Sequence, residues 1–311
     1  MKTAARRSLP WRKRMGERWS RTLHREEPLG YILSAPSLIF LAVMLGYPLV
    51  LAVYLSFTNK HIGSPPQWVG FKNFINLVST SLYWVVFKNS FVYTIGALAF
   101  KFVGGLLLAL MLNRQFMGKR FARAALLLPW IVPTVFSTLA WRWMFDPANS
   151  IINLLLRQWG IIEADLPWLM KGSWAMATLI AVNVWRGIPF FAITFMAALQ
   201  SVPEELIDAA KIDGANAWQR FWLVVFPLIV PVVIVVVLMS AISTLGDFEL
   251  PYLLTKGGPG NATNVFGILT FNYALMGGLI GLGSAVAVST LPILALLVIQ
   301  SLREIRRGNV S

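Results

Sequence analysis

Apolar and polar residues alternate along this chain in long blocks rather than short periods. Six blocks are about twenty residues or longer, the length a helix needs to cross a hydrocarbon layer. They run over residues 31–57, 90–112, 124–143, 173–199, 222–245 and 277–300. Gly46 and Pro48 interrupt the first, Pro129 and Pro133 the third, and Pro189 the fourth, so each is expected to bend or break there. Polar connections carry two further amphipathic segments, around Asn73–Phe87 and Ile151–Trp159, which read as short interfacial helices. Trp84, Trp141, Trp143, Trp174 and Trp222 near block ends fit an aromatic belt. The expected fold is an all-α integral membrane protein of six transmembrane helices.

The one sizeable polar island in the second half is residues 200–221, QSVPEELIDAAKIDGANAWQRF. Ser201 with Glu204 reads as a capping box that starts a helix, and Gly214 as its left-handed stop. Asn216 with Gln219 repeats the start signal and leads into the fifth block. One face of the first short helix combines Glu205, Asp208, Ala209 and Ile212. A charged elbow between two long apolar segments is a handle for a partner.

Composition supports the membrane reading. Of 311 residues, 57% are hydrophobic and 13% charged, with a mean hydropathy of +0.66, outside the soluble range. The formal charge of +14 would suit a nucleic-acid binder, but the placement of the bases excludes that reading. Eighteen of the 27 Lys and Arg fall on the N-terminus, the 113–123 loop, the elbow and the C-terminus, against six on the three opposite loops. This bias sets both termini (a basic tail at 1–30 and a short one at 301–311) and the elbow on the cytoplasmic side. Arg6-Arg7 is followed by polar residues and then by a block long enough to span, so it is not read as an export signal.

Candidate chemistry is sparse. There is no cysteine, and the two histidines, His24 and His61, have no metal-ligand spacing, so no metal site is expected. No phosphate loop, zinc-protease or nucleophile-elbow motif occurs, and no catalytic residue is nominated. Gly277, Gly281 and Ala285 are spaced for close helix packing in lipid. Polar groups within the blocks are costly and therefore informative. Lys101 reads as a lysine facing a neighbouring helix or reaching toward the interface. Asn183 and Arg186, with Gly187 and Phe190 beside Pro189, read as a cavity wall at a proline-broken helix. Ser240, Ser243, Thr244 and Asp247 follow at i, i+3, i+4 and i+7, a polar stripe.

These residues also carry a family resemblance. Asp208-Ala209-Ala210, three residues, Gly214, nine residues, then Val224-Val225-Phe226-Pro227 closely resembles the EAA motif of binding-protein-dependent ABC importer permeases. Asp208 stands for the motif's glutamate, Val224 for its isoleucine and Phe226 for its leucine. Leu253-Leu254-Thr255 with Gly257-Gly258-Pro259 and Thr263 is similar to the outer loop of carbohydrate-uptake permeases of the maltose-type first-subunit kind. The resemblance implies a type I importer permease fold in a bacterial inner membrane. Its expected partners are a second homologous permease, two ATPase subunits that hold ATP and Mg2+, and a sugar-binding protein, with no cofactor on this chain. Glu204, Glu205, Asp208, Ala209, Ala210, Asp213 and Gly214 are then expected in the coupling helix and its turn. Asn183, Arg186, Gly187, Phe190, Ser240, Ser243, Thr244 and Asp247 match the substrate positions of the maltose-type relative. Asn183 and Asp247 suit sugar hydroxyls, Phe190 an apolar sugar face, and Arg186 a phosphate or sulfonate on a glycoside. The alternatives are an ion-coupled secondary transporter or an ABC permease for a non-sugar solute.

Overall fold

The computed structural model describes residues 26–308, so the basic tail expected over 1–30 lies mostly outside the described residues. Two compact units divide at Tyr54. In the first, helix α1 (Glu26–Ser56) runs on through Pro36 and Pro48 without the interruption expected at Gly46. It begins five residues before the apolar block, and residues 33–55 are all at least partly exposed.

Apart from its connecting loops, the longest of them 57–71 and 159–171, and one isolated bridge, Thr58 to Trp68, the second unit is helical over its described length. Its helices are α2 (Lys72–Ser79), α3 (Ser81–Asn113), α4 (Lys119–Ile131), α5 (Thr134–Met144), α6 (Ile151–Gln158) and α7 (Gly172–Gln200). Then follow α8 (Glu204–Ile212), α9 (Ala217–Arg220), a π-helical turn (Phe221–Val225) and α10 (Phe226–Leu245). The chain ends in α11 (Glu249–Thr255), α12 (Phe266–Phe271), a second π turn (Asn272–Met276) and α13 (Ile280–Gly308). Among the described residues, five helices can cross a membrane, or six if the α4–α5 pair counts as one span.

Three further expectations are corrected and one holds. The second span starts nine residues early, at Ser81, and the amphipathic segment before it stops at Ser79. The third span breaks at Pro133 as expected, into two helices bent by 91°, although α4 continues through Pro129; Val132 is extended ahead of Pro133, as a residue preceding proline tends to be. The fourth, α7, passes through Pro189 unbroken. The sixth begins at Ile280, because Gly278 takes a left-handed turn (φ +67°) before it, and runs to Gly308 through most of the expected tail.

Helices α3 and α7 make the largest interface of the unit. Without a water-driven hydrophobic force in lipid, close backbone approach must come from small residues. A side chain on Gly96 or Gly104 would come to 2.9 Å from Ile180 or Ile188, and one on Gly105 would overlap Phe191. Gly281 works differently from the helix packing expected of it. It lies against the extended backbone at Thr58–Lys60, and its N–H donates to the Lys60 carbonyl at 2.9 Å.

Two apolar clusters divide α7 by depth. Leu179 and Val182 pack with Tyr93, Phe145, Leu250 and Leu254. Phe191 and Phe195 pack with Leu106, Ile229 and Val233, toward the elbow. Asn183, Arg186 and Gly187 fall between the two, and the site lies there.

Candidate functional site

A cavity of about 380 Å³ opens between α3, α7 and α10. Around it stand Lys101, Trp130, Asn183, Arg186, Gly187, Phe190, Ser240, Ser243, Thr244, Asp247 and Glu249. All eight residues singled out as a substrate pathway border this one space. Its size falls in the range of small-molecule sites.

The lining is ordered by hydrogen bonds that join three helices. Tyr93 on α3, with no solvent exposure, donates its hydroxyl to Asp247 Oδ2 at 2.8 Å. Asn183 on α7 donates to the Tyr93 oxygen at 2.6 Å and to Asp247 Oδ2 at 3.3 Å. The Leu250 backbone N–H reaches Asp247 Oδ1 at 3.3 Å. Asp247 is not on the helical stripe expected for it, since α10 ends at Leu245 and Gly246 caps it. The carboxylate stands on the short non-helical joint before α11. Irregular backbone within a helical bundle is tolerated where it faces a cavity or protein.

Lys101 is the group whose role sequence reasoning under-read. It is 4% exposed and hydrogen-bonded to Ser240 Oγ at 3.2 Å and Thr244 Oγ1 at 3.1 Å. Its stem crosses Gly187, where a Cβ would lie 2.8 Å from both Cδ and Cε. Gly187 therefore makes room for the lysine. Ser243 bonds back to the Met239 carbonyl within its own helix. Phe190 stacks on Trp130 of α4, with ring centroids 6.4 Å apart and planes 28° apart, giving the cavity one aromatic side. Tyr93 and Trp130 carry no local sign of their role, because their partners lie on other helices, whereas Lys101 faces a neighbouring helix as its charge suggests. Asn183 Oδ1 is buried without a hydrogen-bond partner among the described residues.

The elbow forms a separate surface. α8 begins at Glu204 with Pro203 as its N-cap. The capping box expected at Ser201 is absent because α7 runs to Gln200 and the Ser201 hydroxyl donates to the Ala198 carbonyl at 2.8 Å. Gly214, at φ +80°, ends α8, and the Ala215 N–H returns to the Ala210 carbonyl at 3.0 Å, closing the turn. The Asn216–Gln219 capping box does form. Glu204, Glu205, Asp208, Ala209 and Asp213 are exposed, whereas Ala210 is buried at 9%. Asp208 pairs with Lys211 at 2.7 Å. Ile212 and Trp218 are 87% and 71% exposed, an apolar border to an acidic helix. Thr263 fastens the loop after α11 by donating to the Gly258 carbonyl at 2.7 Å.

Among the described residues, no three acids or histidines are grouped to hold a metal. A helical bundle with five or six apolar spans, a partly polar cavity and an exposed acidic elbow fits a multi-pass membrane permease. Residues 101–305 match the family of binding-protein-dependent transport system inner membrane components, and the chain belongs to that family. It is a permease subunit of an ABC importer rather than an enzyme, which removes the ion-coupled alternative.

Its relatives include the trehalose/maltose transport system permease protein MalF of Thermococcus litoralis, 32% identical over 87% of this chain and 91% of the relative. The sulfoquinovosyl glycerol transport system permease protein SmoG of Agrobacterium fabrum is 31% identical over 87% and 88%. The trehalose transport system permease protein SugA of Mycobacterium tuberculosis is 29% identical over 85% and 84%. In fold, the chain is similar to a subunit of a bacterial ABC transporter that imports the acidic polysaccharide alginate. That match has a TM-score of 0.78 and 23% identity, covering 93% of this chain and 99% of that one.

Proposed function

We propose that this subunit forms half of the path by which a sugar or glycoside, delivered by a binding protein, enters a bacterial cell. The observation that carries the reading is the α3–α7–α10 cavity, where an aromatic side (Trp130, Phe190) faces polar groups in a space the size of a small ligand. Sugar rings offer both surfaces, an apolar face and a rim of hydroxyls. Permeases named for trehalose, maltose and sulfoquinovosyl glycerol among the relatives support the same class.

The partners in this reading are a second homologous permease, two ATPase subunits carrying ATP and Mg2+, and the sugar-binding protein. Both termini and the elbow face the cytoplasm, as the Lys and Arg distribution favours. Helix α8 is the coupling helix. Its exposed acids and Ala209 enter an ATPase cleft, and closure of the ATPase pair carries α8 as a rigid lever. Motion of α8 reaches α7 and α10 through Val202, Ile207 and Phe221, which join the apolar cluster at the elbow end. The cavity thereby opens alternately to either side.

The test is uptake of labelled trehalose, maltose and methyl glycosides into proteoliposomes holding the assembled complex. Uptake is expected only with binding protein and ATP together, and to fall in Asn183→Ala and Asp247→Ala complexes that still assemble. Transport by this chain alone, without nucleotide or companions, would overturn the reading.

A further inference from the structure

The cavity wall carries two cations, Lys101 and Arg186, and two carboxylates, Asp247 and Glu249, which differ in what already engages them. Asp247 receives three donors, from Tyr93, Asn183 and Leu250, so its carboxylate is occupied by the wall itself. Glu249 is exposed and borders the same space. Lys101 uses two of its three N–H groups on Ser240 and Thr244, and among the described residues no carboxylate is in ion-pair contact with it. An ammonium buried to 4% exposure without a counter-ion in contact is costly, and such a group is ordinarily paired. Arg186, half-buried on the same cavity, makes no hydrogen bond and no ion pair among the described residues. Its guanidinium therefore keeps five N–H donors, in a fork that matches planar or tetrahedral oxyanions.

From this we infer that Lys101 and Arg186 form an anion subsite and that the transported glycoside carries a carboxylate, sulfonate or phosphate. The acidic group takes the third Lys101 N–H and the Arg186 fork, while the apolar face of the ring lies against Phe190 and Trp130. Tyr93, Asn183 and Asp247 are positioning residues that hold the three helices around the ligand. This inference rests on the sugar reading and names the ligand class of the same cavity.

The test uses the assembled complex in nanodiscs and three probes: methyl β-D-glucuronide, the neutral methyl β-D-glucoside, and inorganic sulfate. Dissociation constants are measured by ligand-observed NMR. The glucuronide is expected to bind about tenfold or more tightly than the glucoside, one charge-assisted contact's worth. The gap should collapse in Arg186→Gln, whose half-exposed position tolerates exchange, and in Lys101→Met. Equal or tighter binding of the glucoside overturns the anion subsite and leaves the sugar reading intact. A glucuronide preference that survives both substitutions also overturns it. Sulfate binding as tightly as the glucuronide assigns the pair to a free oxyanion and overturns the glycoside claim. Failure of both glycosides to bind overturns the sugar reading and this inference together.

Discussion

Tyr93→Phe removes one oxygen from the centre of the wall and changes almost nothing else. The ring stays packed with Leu179, Val182 and Leu254 in its apolar cluster. The phenol oxygen now gives a 2.8 Å bond to Asp247 and receives a 2.6 Å bond from Asn183. Without it, the carboxylate keeps only two longer contacts, 3.3 Å from Asn183 and 3.3 Å from the Leu250 N–H. A hydrogen bond to a charged group contributes about 1.5–3 kcal/mol in water-soluble proteins. Side-chain bonds in membrane bundles average about 0.6 kcal/mol, with a maximum near 1.7. A loss of about 1–2 kcal/mol lies between the two scales and corresponds to a factor of about 5–30 in the opening of the joint before α11. Hydrogen exchange of residues 247–255, in the purified complex in nanodiscs, should quicken by that factor. Tyr83→Phe, which removes a 3.1 Å bond to Ser289 elsewhere in the bundle, should leave the segment unchanged. If Tyr93→Phe exchanges as slowly as the parent, or if its effect simply adds to that of Asp247→Asn, the three groups do not act as one tie.

Other perturbations address packing and coupling. Gly105→Val drives a branched side chain into Phe191 and should destabilise the α3–α7 pair by about 1–3 kcal/mol; a lower melting temperature in detergent checks this. Gly214→Val places a β-branched residue at φ +80°, at a local cost of about 1–2 kcal/mol. It should abolish ATP-driven uptake while membrane insertion persists, and unimpaired uptake would contradict the coupling role of α8. Asp208→Asn breaks an exposed ion pair with Lys211, so stability should move by less than about 0.5 kcal/mol. Uptake should nevertheless fall, and parallel thermal-unfolding and transport measurements separate the two effects.

Much of the architecture was legible because lipid imposes length on apolar runs, and the Asn216–Gln219 box and the Gly214 stop are local devices. The failures have local causes too. Pro133 marks the corner between α4 and α5 as its place in an apolar block suggests, but hydropathy integrates over a window and carries no angle, so the 91° turn was not foreseen. Pro189 was read as a break, yet α7 passes through it, held on its neighbours by packing. Ser201 was spent on the end of α7 before it could start α8. In the site, the residues with odd polarity for their surroundings were found. Tyr93 was not, since a tyrosine in an apolar run looks like packing, and its partners lie 90 and 154 positions away. Lys101 was noticed as a charge, but its hydroxyl partners 139 and 143 positions on were invisible.

The π-helical turn at Phe221–Val225 has a geometric corollary for the lysine. An α-helix advances about 100° per residue, so one surplus residue in a turn rotates everything beyond it by that angle. Ser240 and Thr244 thus owe their compass bearing toward Lys101 partly to slack stored fifteen residues upstream. Shortening that turn by a single residue would swing both hydroxyls a quarter circle aside, emptying the ammonium's cradle while leaving every atom of the cradle's own sequence untouched.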